Sequence, residues 1–141
     1  MDIRLADLRD LSWLAEHDHH VSEAELRSLI GQRRILMAEA DGEVIGWLRW
    51  NLFWDNTPFM NMLYFLESWR RCGHGRKLVG YWEQMMHSQG YERVLTSSQS
   101  NEEGQHFYRS LGYADAGALL LPGEPLEIIF CKDLDALGMA N

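Results

Sequence analysis

Two glycines in alternation, Gly73 and Gly75, stand in an eight-residue run that also carries Arg70, Arg71, Cys72, His74, Arg76 and Lys77. Alternate glycines let a backbone curl so that successive N–H groups face inward, and a following helix adds the positive end of its dipole. Together these features make a cradle for a polyphosphate. Four of the chain's 13 Lys and Arg residues fall in this run, although the formal net charge is −8. A basic cluster in an acidic protein suggests a specific anion. A nucleotide P-loop would need Lys-Ser or Lys-Thr after the second glycine, and a dinucleotide loop would need a third glycine near the first strand; the chain offers neither. A tight strand-to-helix connection without a ligand is the plain alternative.

A second pattern lies about thirty residues downstream, where Asn101, Gly104, Phe107, Tyr108, Gly112 and Tyr113 are spaced N-x-x-G-x-x-F-Y-x-x-x-G-Y. With both patterns in order, the chain resembles the GNAT acyl-CoA-dependent N-acyltransferases over roughly residues 1 to 134. In that family [QR]-x-x-G-x-[GA] follows the fourth strand, and N-x-x-[AG]-x-x-F-Y-x-x-x-G-[FY] follows the fifth. The resemblance implies a mixed α/β fold whose central, mostly antiparallel sheet has helices on both faces. It also implies acetyl transfer from acetyl-CoA directly to a primary amine of a small molecule or protein.

The resemblance assigns roles residue by residue. Backbone N–H groups of Arg71, Cys72, Gly73, His74, Gly75 and Arg76 would chelate the coenzyme's pyrophosphate, with Arg70 opening the loop. The backbone of Leu63, Tyr64 and Phe65 would pair with the pantetheine amides as an added strand, and one N–H would face the thioester oxygen. Asn101 would bind the pantetheine arm, and it would also serve well as a helix N-cap. Tyr108 would protonate the departing thiolate; read without the motif, it and Phe107 are core aromatics near a helix end.

The base is less well marked. Many relatives keep a carboxylate five residues before the motif Asn, but here that position is Thr96. Glu67 is the nearest acidic substitute. His17, His19 and His20 lie in a segment that commonly borders the acceptor pocket, and imidazoles suit base catalysis; an exposed polar loop is their plainer role. No Cys or carboxylate set at ligand spacing accompanies them, so no metal is expected. Direct transfer requires no covalent residue, and Cys72 is not read as a nucleophile. An acyl-CoA-binding regulatory or structural module with the same fold and little turnover is the alternative function.

Composition sets the outer bounds. At 141 residues, 46% of them hydrophobic, one domain spanning residues 1–141 is expected. The net charge argues against nucleic acid and anionic membranes as partners and is compatible with a cationic substrate. Two cysteines, Cys72 and Cys131, make no disulfide framework and suit a reducing, cytoplasmic setting. The N-terminus lacks a signal-peptide pattern, and no apolar run reaches the ~20 residues of a membrane span. A homodimer is allowed.

The elements that must position these residues read as follows. Residues 2–5 form a first strand, and Leu8, Leu11 and Leu14 mark a helix over 7–16. Ser22 to Glu25 make a capping box for a helix to about Gln32. Strands over 34–40 and 43–53 flank an Asp41-Gly42 type I′ turn, and a further strand covers 59–66. Leu78, Val79, Trp82, Met85 and Met86 give the apolar face of a helix that starts near Gly75 and stops at Gly90. A strand over 91–97, a helix over 102–111 and two strands over 113–120 and 126–132 complete a β-α-α-β-β-β-α-β-α-β-β order. Trp47 and Trp50 fall on opposite faces of their strand, and core packing is their expected role.

Overall fold

Seven strands in the order β1-β2-β3-β4-β5-β7-β6 form one sheet. The structure, a computed structural model, describes residues 1–135; the last six residues of the expected domain lie outside the described ones. Along the chain run β1 (Asp2–Leu5), α1 (Leu11–His17), α2 (Glu23–Gly31), β2 (Ile35–Ala40), β3 (Glu43–Phe53), β4 (Thr57–Phe65), α3 (His74–Ser88), β5 (Arg93–Gln99), α4 (Gly104–Ser110), β6 (Ala114–Leu119) and β7 (Glu127–Asp133). Pairing is antiparallel for β1–β2, β2–β3, β5–β7 and β6–β7, and parallel for β4–β5 at Phe59–Leu95 and Met60–Thr96. This is the expected mixed α/β, mostly antiparallel fold, with the elements in the expected order. Two compact units divide it: Met1–Asn51 with Met62–Val79, and Leu52–Asn61 with the residues from Gly80 onward.

In the first unit, α1 and α2 supply Leu11, Leu14, Leu26, Leu29 and Ile30 to a core shared with Ile35, Met37 and Trp47. Leu14 and Leu26 are fully buried, and burying each such side chain stabilises by about 1.5–3 kcal/mol. Leu8 does not join them; it is 60% exposed. Asp7 and Asp10 form a capping box that closes residues 8–10 into a 3-10 turn, so the α-helix starts only at Leu11. Ser22 caps α2 by accepting from the Glu25 N–H, as its position suggests. Asp41 and Gly42 both have positive φ, +54° and +78°, as a type I′ hairpin turn demands.

A buried ion pair ties the segment after α1 to β3. The Asp18 carboxylate accepts from Arg49 Nε at 2.6 Å and from the Trp47 indole N–H at 3.0 Å. The Asp18 and Arg49 side chains are 0% and 8% exposed. Trp47 and Trp50 are both buried, whereas Trp54, in the turn before β4, is 77% exposed.

In the second unit, Trp82 and Met86 of α3 are fully buried, and the helix stops before Gly90, whose φ is +93°. The buried Glu83 carboxylate accepts from the Tyr113 hydroxyl at 2.8 Å and from Lys132 Nζ at 3.0 Å. Burial, and then the Glu83 charge, push the Tyr113 phenol far above its ordinary value. Among the described residues, no helix is long and apolar enough to cross a membrane.

Removing the charge from Asp18 strands a buried guanidinium. Asp18→Asn is therefore expected to cost about 3–5 kcal/mol, read from urea denaturation midpoints at unchanged m-value. A loss below about 1 kcal/mol would show that Arg49 does not depend on this partner.

Candidate active site

The glycine loop belongs to the first unit. After β4 a 3-10 turn, Glu67–Trp69, leads into residues 70–73. Arg71 and Gly73 both adopt left-handed backbone, with φ of +62° and +82°. The 15-residue helix α3 starts at His74, one residue earlier than expected. Its first turn closes with the Lys77 N–H on the Gly73 carbonyl at 3.2 Å. The N–H groups of His74, Gly75 and Arg76 thus belong to the helix positions that have no intrahelical acceptor. With the dipole behind them they suit an anion. Arg71, Cys72, Gly73, Arg76 and Lys77 are exposed, and His74 and Gly75 are partly so. The Cys72 thiol donates to the Arg70 carbonyl at 3.2 Å.

The loop's first side chain turns back onto the strand. Arg70 Nε donates to the Phe65 carbonyl at 2.7 Å, and the guanidinium carbon lies 4.7 Å from the Tyr64 ring centroid. Phe65, the last residue of β4, is buried; its ring stacks at 5.9 Å on His74, whose Nδ1 is buried without a hydrogen-bond partner. Opposite it sits Gly46 of β3. A Cβ built there would lie 2.6 Å from the Tyr64 carbonyl oxygen and 2.6 Å from a Phe65 ring carbon. Only glycine allows so close an approach. A glycine inside a strand pattern is the signal that could have found this position, and the sequence reading passed over it.

Leu63 is partly exposed and Tyr64 exposed. The Tyr64 ring continues a contact row to Trp47 at 5.1 Å, Trp13 at a further 5.4 Å, and His17 stacked on Trp13 at 3.8 Å. His17 Nδ1 lies 2.7 Å from the Trp13 carbonyl. A carbonyl only accepts, so Nδ1 carries the proton of this bond. His19 Nε2 makes the equivalent bond to the Glu16 carbonyl at 2.6 Å. Glu67 is exposed in its 3-10 turn. Among the described residues, no three His, Cys, Asp or Glu side chains form a group able to hold a metal ion.

The second unit holds the downstream motif. Tyr108 is buried in α4, with Tyr113 and Phe130 rings about it at 5.8 and 6.0 Å. Burial pushes its phenol up to about 12; the neighbouring Thr96 side chain opposes this, and the Glu102 charge adds to it. Thr96, also buried, donates from Oγ1 to the Met60 carbonyl at 3.0 Å. Gly104 packs close to β5, since a Cβ there would lie 3.0 Å from Ser98 Oγ. Gly112, with φ +94°, ends the helix. Asn101 is not the N-cap: α4 starts at Gly104 behind Glu103, and Asn101 is exposed in the preceding turn. The Gln105 amide bonds the Ser100 and Glu102 carbonyls at 2.7 and 3.0 Å. Those bonds hold residues 100–103 as a turn and delay the helix by two residues.

The structure thus gathers Leu63, Tyr64, Phe65, Glu67 and the 70–76 loop in the first unit, and places Thr96, Asn101 and Tyr108 in the second. Solved structures share this fold. The ribosomal-protein-S18-alanine N-acetyltransferase from Escherichia coli superposes with a TM-score of 0.78 at 19% identity, over 94% of this chain and 93% of its own. For yncA, a putative acetyltransferase from Salmonella typhimurium with its cofactor acetyl-CoA, the values are 0.77, 20%, 96% and 94%. An aminoglycoside 6'-N-acetyltransferase complexed with coenzyme A gives 0.76 and 18%, over 95% and 97%. No curated protein matches the sequence significantly. The profile of the acetyltransferase (GNAT) family, however, matches residues 3–113, which include both the glycine loop and the Phe107–Tyr108 motif. The chain belongs to the GNAT acetyltransferase family.

Proposed function

We propose that the protein transfers an acetyl group from acetyl-CoA to a primary amine of a small molecule or protein. The observation that carries this reading is the loop over α3: left-handed backbone at Arg71 and Gly73, followed by helix N–H groups without intrahelical acceptors. These groups suit the pyrophosphate of coenzyme A. Leu63, Tyr64 and Phe65 are assigned to the pantetheine arm; the pairing of β4 with β5 at Phe59 and Met60 lies upstream of them. Asn101, exposed and free of a capping duty, is assigned to the same arm. Coenzyme A in the aminoglycoside enzyme and acetyl-CoA in the Salmonella protein support the choice of donor.

In the reaction, the amine nitrogen adds to the thioester carbon, the C–S bond then breaks, and the nitrogen loses its proton. Tyr108 is assigned to the sulfur. With its phenol near 12 it stays protonated throughout the neutral range, and an ordinary thiol titrates near about 8.5. Its hydrogen bond therefore acts as charge develops on sulfur, and the proton that finally remains there is balanced by the one the amine releases. Glu67, exposed in the 3-10 turn after β4, is assigned that amine proton through solvent water. Acceptors differ among the structural relatives: one is named for an aminoglycoside, another for a ribosomal protein's alanine. The net charge of −8 favours a cationic acceptor here. Unbridged Cys72 and Cys131 suit a reducing, cytoplasmic compartment.

Coenzyme A is expected to bind about a hundredfold more tightly than pantetheine, because charge-assisted bonds to the pyrophosphate are lost in the latter. Titration calorimetry measures both, and equal affinities would remove the phosphate loop from the reading. Gly73→Val should weaken coenzyme A binding, since φ there is +82° and a branched side chain strains that backbone. Binding of coenzyme A with no turnover across polyamines, aminoglycosides and peptide N-termini would instead mark a module without catalysis.

Tyr108→Phe should lower kcat by about 10²- to 10⁴-fold with little change in acetyl-CoA affinity; near-normal kcat when chemistry limits the rate would exclude Tyr108. Glu67→Gln is expected to flatten the acid limb of the pH–rate profile. An unaltered limb would pass the base role to another group.

The raised phenol also fixes a stability window. The folded state holds this proton up to about pH 12, whereas an unfolded tyrosine releases it near about 10. Tyr108 thus contributes stability that is complete below about pH 10 and lost as pH rises through about 12. Thermal midpoints should fall over that interval, less steeply in Tyr108→Phe; equal slopes would show that another group dominates.

A further inference from the structure

We infer that Arg70 is a positioning residue: as one end of the glycine loop it grips Phe65 and ties the phosphate cradle to the strand end assigned to the thioester. The inference rests on the acetyl-CoA reading above. Arg70 opens the basic run, yet its Nε is spent on the Phe65 carbonyl at 2.7 Å and its guanidinium lies over Tyr64 at 4.7 Å. Arg70 is exposed like Arg71, Arg76 and Lys77, so these two contacts, and not its burial, set it apart from the other cations of the loop.

Phe65 is held from several sides. At the far end of the loop, His74 stacks against its ring at 5.9 Å. Gly46 leaves no space toward β3, where an added Cβ would meet the ring at 2.6 Å. The next residue is fixed as well, because the Leu66 N–H donates to the Ile45 carbonyl at 2.8 Å. Both ends of the loop, residues 70 and 74, therefore bear on one strand residue. A phosphate seated on the loop amides then fixes the height of the Leu63–Phe65 backbone, and with it the reach of any N–H directed at the thioester oxygen. The hydrogen bond performs this task, and the positive charge is incidental to it.

Gln and Met separate the two contributions. Gln places an amide nitrogen at the same side-chain position as Arg Nε, so Arg70→Gln keeps a donor for Phe65 and removes the charge. Arg70→Met keeps the length and removes both. Steady-state kinetics with acetyl-CoA and with phosphate-free S-acetylpantetheine give the readout. Arg70→Met is expected to lower kcat/KM at least about tenfold with acetyl-CoA, to lower it less with S-acetylpantetheine, which seats no phosphate on the loop, and to speed hydrogen exchange at the Leu66 amide. Arg70→Gln should stay within about threefold of the parent with either donor. A loss in Arg70→Gln confined to acetyl-CoA would make Arg70 a phosphate ligand and overturn the inference. If Arg70→Met does not fold, the Gln variant decides alone. A parent protein that turns over neither donor removes the acetyl-transfer reading, and Leu66 exchange in the Gln variant still decides the brace: exchange faster than in the parent would overturn it.

Discussion

Strand β3 accommodates the end of β4 only because residue 46 carries no side chain. With Tyr64 O and the Phe65 ring at 2.6 Å from where a Cβ would stand, the two backbones approach more closely than any other residue type permits. Much of the first unit's geometry follows from that contact. Phe65 is pressed into the interior, its carbonyl is left to Arg70, and the chain is turned by the 3-10 segment into the glycine loop. The same placement sets Tyr64 between Arg70 and Trp47, so that an aromatic row runs back through Trp13 to His17.

Most of the fold was legible because each element carried its own stop and start. The Asp41-Gly42 turn, the Ser22 cap and the glycines at 90 and 112 all act where local chemistry places them. Two boundaries moved for a shared reason: a side chain outcompeted the helix. Asp10 reaches back to the Asp7 N–H and holds residues 8–10 in a tighter turn, which leaves Leu8 in solvent. Gln105 takes the Ser100 and Glu102 carbonyls and delays α4. Apolar periodicity cannot register such bonds, since both residues read as ordinary polar positions.

For the candidate site, spacing carried the backbone of the loop and the place of Tyr108 in α4, because backbone conformation and helix position follow from glycine placement and motif register. The duties of individual side chains were not legible. Arg70 reads as one cation among four until the 3-10 turn carries it back over a residue five positions earlier. Likewise the Asp18–Arg49 pair joins residues 31 apart; in the sequence Asp18 is merely part of a polar histidine run. Contacts of that kind exist only once the core has set the strands.

Thr96, buried in β5, has a single hydroxyl proton, which goes to the Met60 carbonyl. The hydroxyl thereby adds a side-chain tie to the parallel pairing of Phe59 with Leu95 and Met60 with Thr96, and burial is left as the main cause that keeps Tyr108 protonated.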